Sequence, residues 1–140
     1  MQWQRGEFTL DDDFQRIDME RILAWLQASY WAGNQPEWAI RRSWEKAGIT
    51  LGLYHSEEMI GAARAITDFA RTAYLSDVYV DPAYRGKGLG QWIVQTMLDH
   101  PNAPGVRWIL HSSDARDFYR PFGFEQADEI VMQRPRPPRQ

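Results

Sequence analysis

The stretch Val78-Tyr79-Val80-Asp81-Pro82-Ala83-Tyr84-Arg85-Gly86-Lys87-Gly88-Leu89-Gly90 constrains the fold more than any other part of this chain. Alternating valines read as the end of a strand, and Asp81-Pro82 turns the chain out of it. From Leu89 the apolar positions Leu89, Trp92, Ile93, Thr96 and Met97 recur at helical spacing, until His100-Pro101 stops them. A strand that runs through glycines into a helix gathers backbone N–H groups with no intrahelical acceptor at the positive end of the helix dipole. Such a junction is suited to an anion. Gly86, Gly88 and Gly90 let the backbone approach closely, and Arg85 and Lys87 add positive charge. The spacing is neither the G-x-G-x-x-G of dinucleotide-binding folds nor the nucleotide P-loop, in which the lysine precedes Ser or Thr; here Gly88 follows Lys87.

The surrounding periodicity predicts a mixed α/β (α+β) domain. Glu7 to Leu10 reads as a first strand. A helix begins at Met19 with Asp18 as N-cap and carries Met19, Ile22, Leu23, Leu26 and Tyr30 on one face; a second starts at Pro36 and ends before Gly48. The period then changes to two, giving strands over Ile49–Leu53, Met59–Thr67 and Tyr74–Val80, with polar turns at 55–58 and 68–71. After the central helix come a strand over Val106–Leu110, a short helix over Asp114–Arg120 broken by Pro121 and Gly123, and a last strand at Ile130–Met132. Residues 1–133 form one expected domain, and the Pro/Arg-rich segment 134–140 a loose tail.

Composition narrows the function. With 44% hydrophobic and 14% aromatic residues, the chain has the means to bury a core, which excludes disorder for its body. The net charge of -3 argues against nucleic acid as a partner. Without cysteine there is no disulfide framework, thiolate metal site or cysteine nucleophile, and His55, His100 and His111 lack metal-ligand spacing, so no metal is expected. No apolar run approaches a membrane span and the first residues lack a secretory pattern, so the expected location is cytoplasmic, with no membrane partner.

The pattern Val-x-Val-x-Pro-x-x-Arg-Gly-x-Gly-x-Gly at a strand-to-helix junction resembles motif A of the GCN5-related N-acetyltransferases (GNAT). A second segment, Asp114 to Phe124, is similar to that family's A-x-x-x-Y-x-x-x-G-F, with Ala115, Tyr119, Gly123 and Phe124 in place. The resemblance implies the GNAT fold: a mostly antiparallel central sheet flanked by helices, with middle strands that splay apart. It implies acetyl-CoA as co-substrate, with its pyrophosphate on the loop amides of Arg85, Gly86, Lys87, Gly88, Leu89 and Gly90. The pantetheine arm would pair with the backbone of Val78, Tyr79 and Val80 as an added strand. It further implies acetyl transfer to a primary amine of a small molecule, with Tyr119 as the acid that protonates the departing thiolate. A protein or peptide amine, or a non-catalytic acyl-CoA sensor, is the alternative. Relatives commonly form homodimers, which is an expectation for this chain too.

Two departures matter. Many relatives carry Glu two residues before the first Val of the motif A strand, where this chain has Ser76. A water relayed by Ser76, the neighbouring Asp77, or no dedicated base all remain open; simple alternation sends Asp77 away from Ser76 unless a bulge rotates it. Ser112 stands where relatives often have Asn. The first two helices, where family members choose their acceptor, hold Trp25, Tyr30, Trp31, Trp38 and Trp44 with Glu37 and Glu45. Those rings read either as core or as an aromatic and acidic pocket for a cationic amine.

Overall fold

A hairpin opens the chain: β1 (Gln2–Arg5) and β2 (Phe8–Asp11) pair antiparallel around Gly6. This computed structural model describes residues 1–127 and 129–137, and it divides into two units, Met1–Leu110 and His111–Gln140. In the first unit, α1 (Met19–Gln27) and α2 (Glu37–Glu45) precede a meander of β3 (Ile49–His55), β4 (Glu58–Thr67) and β5 (Thr72–Val80), then α3 (Leu89–Leu98) and β6 (Arg107–Ile109). The sheet order is β1-β2-β3-β4-β5-β6; every pairing is antiparallel except β5 with β6. The mixed sheet flanked by helices is therefore as the sequence predicts.

Alternation in the strands serves two layers of helix. Tyr54, Met59 and Ala62 pack with Ile22, Leu23 and Leu26 of α1 and Ile40 and Trp44 of α2. Gly61 turns the other way, toward Leu53 and Ile93 of α3. Each of these buried aliphatic side chains contributes on the order of 1.5–3 kcal/mol relative to exposure. Asp18 caps α1 by accepting from the Arg21 amide at 3.2 Å. The helix ends earlier than Tyr30 because Ser29 intervenes: its hydroxyl donates to the Leu26 carbonyl at 2.7 Å and accepts from the Ala32 amide at 3.2 Å, closing a turn.

Strand β5 changes character along its length. Thr72, Ala73 and Tyr74 pair with Arg107, Trp108 and Ile109 of β6, and beyond Tyr74 that pairing ceases. This is the expected splay. On its other side β5 pairs with β4 throughout, but the register slips: Ala62 faces Tyr79 while Arg64 faces Ser76, so β5 holds one extra residue, a bulge at Asp77 with φ +57°.

The second unit contains α4 (Arg116–Tyr119), continued by a 3-10 turn over Arg120–Phe122 that Gly123 ends with φ +93°. Two expectations need correction. The sequence reading missed β1, because its polar residues Gln2, Gln4 and Arg5 hide the two-residue period. Conversely, Ile130–Met132 is not a strand: these residues are 77%, 47% and 97% exposed, and among the described residues nothing pairs with them. Three apolar residues without a neighbouring strand have no ladder to join, and the Ile130 amide instead closes a turn onto the Ala127 carbonyl at 3.2 Å. Arg134–Pro137 form neither helix nor strand, and the rest of the expected tail, 138–140, lies outside the described residues.

Candidate acyl-donor and acceptor site

The junction after β5 is built mainly from backbone. The Asp81 amide donates to the Ile60 carbonyl at 2.7 Å, and its side chain accepts from the Ala83 amide at 2.9 Å, starting a 3-10 turn over Pro82–Tyr84. Tyr84 ties that turn to the end of β3, its hydroxyl 2.9 Å from Nδ1 of His55. Gly86 and Gly88 then adopt φ +81° and +76°, and an added Cβ at either would meet nothing within 4 Å. Glycine is used here for backbone conformation and an open approach, not for packing. Gly88 is the N-cap of α3 without a side-chain cap, and the first helical hydrogen bond runs from the Trp92 amide to the Gly88 carbonyl at 3.1 Å. The amides of Leu89, Gly90 and Gln91 precede that bond, at the positive end of the helix. Arg85, Gly86, Lys87 and Gly88 are exposed, and Leu89 is buried as the anchor of the first turn. A diphosphate fits this loop: open space, first-turn amides and a lysine.

The Arg85 side chain is held at the strand end. Its Nε donates to the Val80 carbonyl at 2.8 Å, and its guanidinium lies 5.3 Å from the Tyr79 ring. It is folded back onto the strand end instead of extending from the loop. Tyr79 in turn stacks on Trp25 of α1, with centroids 4.8 Å apart, and Arg21 lies over Trp25 at 5.5 Å. Val78, Tyr79 and Val80 sit beyond the β6 pairing, along the edge where β5 has a neighbour on one side only.

The aromatic residues of the α1–α2 segment sort into different roles. Trp44 is core. Trp25 braces the strand end. Tyr30 and Trp38 are exposed, with the Arg42 guanidinium 5.7 Å from the Trp38 ring, and Glu37 is engaged by Arg41 at 2.7 Å. Trp31 reaches across to the bulge: its Nε1 donates to Oδ1 of Asp77 at 3.0 Å, and Nε of Arg64 donates to Oδ2 at 2.6 Å. Arg64 also reaches Ser76 Oγ through Nη2 at 3.3 Å. The bulge therefore brings Asp77 and Ser76 to one guanidinium. The sequence reading did not single out Arg64, although a lone charge within Ala62-Ala63-Arg64-Ala65 needs a partner once that strand is central.

In the second unit Tyr119 is half-buried, edge-on to Phe118 at 4.9 Å and to Phe124 at 5.9 Å. Ser112 Oγ accepts from the Ala115 amide at 2.9 Å, so its hydroxyl serves the start of α4. Among the described residues no group of three or more His, Cys, Asp or Glu could hold a metal, and no helix is long and apolar enough to cross a membrane.

Residues 14–124 match the Acetyltransferase (GNAT) family. A crystal structure of a Xanthomonas campestris pv. campestris protein assigned to that family superposes with a TM-score of 0.88 at 28% identity, covering 96% of both chains. The histone acetyltransferase TAP1 of Glycine max is 31% identical over 118 residues, 83% of this chain and 48% of that protein. The mycothiol acetyltransferase of Corynebacterium glutamicum is 27% identical over 124 residues, 77% of this chain and 42% of that protein. The chain belongs to the GNAT acetyltransferase family, whose acyl donor is acetyl-CoA. It spans less than two thirds of the length of the curated relatives it matches, from 30% to 64%.

Proposed function

We propose that the protein is an acetyl-CoA-dependent N-acetyltransferase acting on a primary amine of a small molecule. The observation that carries this reading is the pair of left-handed glycines, Gly86 and Gly88, leading into the uncapped first turn of α3 beside the unpaired edge of β5. The loop amides would hold the diphosphate and the edge at Val78–Val80 the pantetheine arm, which together position the thioester.

The transfer itself forms an N–C bond and breaks the C–S bond. The amine must be neutral to attack; for a lysine-like amine of pKa ~10.4 this costs about 4–5 kcal/mol at pH 7, at ~1.36 kcal/mol per unit. The attacking nitrogen then loses a proton and the thiolate gains one. A phenol such as that of Tyr119 has the right donor character for the second step, with a reference pKa near 10 against about 8.5 for a thiol. The partly exposed rings of the α1–α2 segment suit a cationic or aromatic amine. A protein amine is the second reading, favoured by the likeness to TAP1, which is named a histone acetyltransferase.

Thiol release from acetyl-CoA, measured against a panel of small amines and a panel of lysine-containing peptides, tests the proposal. Amine-dependent release is expected with the first panel, and Tyr119→Phe is expected to lower kcat on the order of 10²–10³-fold while acetyl-CoA affinity holds. Turnover of Tyr119→Phe within twofold of the parent removes Tyr119 from the mechanism. Binding of acetyl-CoA with no release for any amine replaces the enzyme by a sensor.

A further inference from the structure

Asp77 stands at the extra residue of β5, with φ +57°, a backbone conformation that Asp and Asn tolerate better than other residues with a side chain. The bulge directs its side chain to Arg64 and Trp31, and that side chain is only 6% exposed. A carboxylate so deep needs its charge and its lone pairs met. Both oxygens are met, and by different parts of the chain: Oδ2 by the Arg64 guanidinium of β4, Oδ1 by the indole of Trp31 from the segment between α1 and α2. The indole is the longest-range of these links, 46 residues away in sequence. It is also unusual in its setting, because the rest of the Trp31 ring is not buried: the residue is 42% exposed and lies edge-on to Tyr30 at 5.3 Å. An exposed ring gains little from burial, so a single N–H···O bond to a charged acceptor fixes its orientation.

We infer that Asp77 is a positioning residue, which latches Trp31 and the Ser29–Asn34 segment to the bulge of β5 and so fixes the ring wall that an acceptor meets. The last clause rests on the proposed transferase function; the latch itself does not. Each carboxylate oxygen accepts an N–H from a different segment, so Asp77 is placed to hold Trp31 against the bulge.

The test uses the full 140-residue chain and three variants, followed by indole and backbone amide hydrogen exchange. Trp31→Phe keeps an aromatic ring, though a smaller one, and removes the N–H, and it identifies the Trp31 indole signal by its loss. Asp77→Gly removes the carboxylate at a φ that glycine accepts. Asp77→Asn keeps one acceptor oxygen and the backbone conformation. The indole proton of Trp31 is expected to exchange at least tenfold faster in Asp77→Gly, with an intermediate rate in Asp77→Asn. The amides of residues 29–34 are expected to exchange at least tenfold faster in Trp31→Phe, while those of β3 and α3 keep their rates. Should Asp77→Gly fail to fold, the Trp31→Phe result decides alone. Unchanged exchange of the 29–34 amides in Trp31→Phe overturns the latch, as does an Asp77→Gly indole rate equal to the parent's. Calorimetry with acetyl-CoA separates the two proposals, since absence of binding by the parent chain would sink the transferase reading and leave the latch standing.

Discussion

The two ends of β5 are one strand put to opposite uses. At its start, Ala73 and Tyr74 have strand partners on both sides, and the turn leading in is fixed by Asp68, whose Oδ1 accepts from the amides of Ala70, Arg71 and Thr72 at 2.9, 2.7 and 3.1 Å. At its finish the strand loses β6, bulges at Asp77 and runs into glycines. Both ends hold an aspartate. Asp68 satisfies only backbone N–H groups within four residues, whereas Asp77 satisfies side chains 13 and 46 residues away. The contrast teaches that the first end is finished as structure, and the second keeps the β4 ladder but lacks the β6 one, which is where the pantetheine arm is proposed to pair.

The sharpest way to break this contrast is Gly88→Asp. The residue has φ +76° with open space around a would-be Cβ, and Asp accepts that conformation better than most residues. The fold is therefore expected to survive, and a negative charge arrives where a diphosphate is proposed to sit. Calorimetry is expected to find no acetyl-CoA binding, while the circular dichroism spectrum and Tm stay near the parent's. Unchanged affinity would show that this end offers nothing to the donor.

Next in size is Leu75→Ala, in the middle of the strand, where the side chain is 3% exposed. Truncation of a buried leucine typically costs about 2–5 kcal/mol, readable as a lower urea midpoint. Below that midpoint, acetyl-CoA affinity is expected within threefold of the parent, because the loop depends on local backbone and not on this side chain. A large affinity loss in folded protein would mean that the two ends are not separable.

The same contrast explains what could be read from the sequence. The strand-to-helix junction is legible because its chemistry is local: strand period, Pro82, alternate glycines and helical period follow one another within the 78–90 segment, and each constrains backbone conformation by itself. Helices α1 and α2 were legible from Asp18, Pro36 and the spacing of Ile22, Leu26, Ile40 and Trp44. The cluster of Trp31, Arg64, Ser76 and Asp77 is not, because its parts meet only in three dimensions. Alternation alone sends Asp77 away from Ser76, and nothing adjacent in the chain announces the bulge that reverses it. Arg64 has no local signature beyond its isolation among alanines. The spacing presents Arg85 as a loop cation, and its side chain meets the Val80 carbonyl and the Tyr79 ring, contacts that appear only once the chain has turned out of β5. The missed β1 and the absent strand at Ile130–Met132 make the same point, since a strand exists through its neighbours.

The smallest expected effect sharpens the comparison at the structural end. The amide of Arg71 first, then those of Ala70 and Thr72, hold the Asp68 carboxyl down to a pKa of about 2, from an ordinary value of 3.8. A depressed folded-state pKa means that the ionised form is the one the native turn prefers. Its contribution is complete above the unfolded value near 4 and is lost as pH falls through about 2. Asp68→Asn keeps a carbonyl acceptor for the turn and removes the titration. The Tm advantage of the parent over Asp68→Asn is therefore expected to be constant from pH 7 to about 4.5 and to shrink between pH 4 and 2. Because the group is exposed, the whole difference is expected to be small and to weaken further with salt. A gap that stays flat across that acid window would mean that these three amides do not prefer the carboxylate to a neutral acceptor, and that the charge of Asp68 adds nothing to the turn.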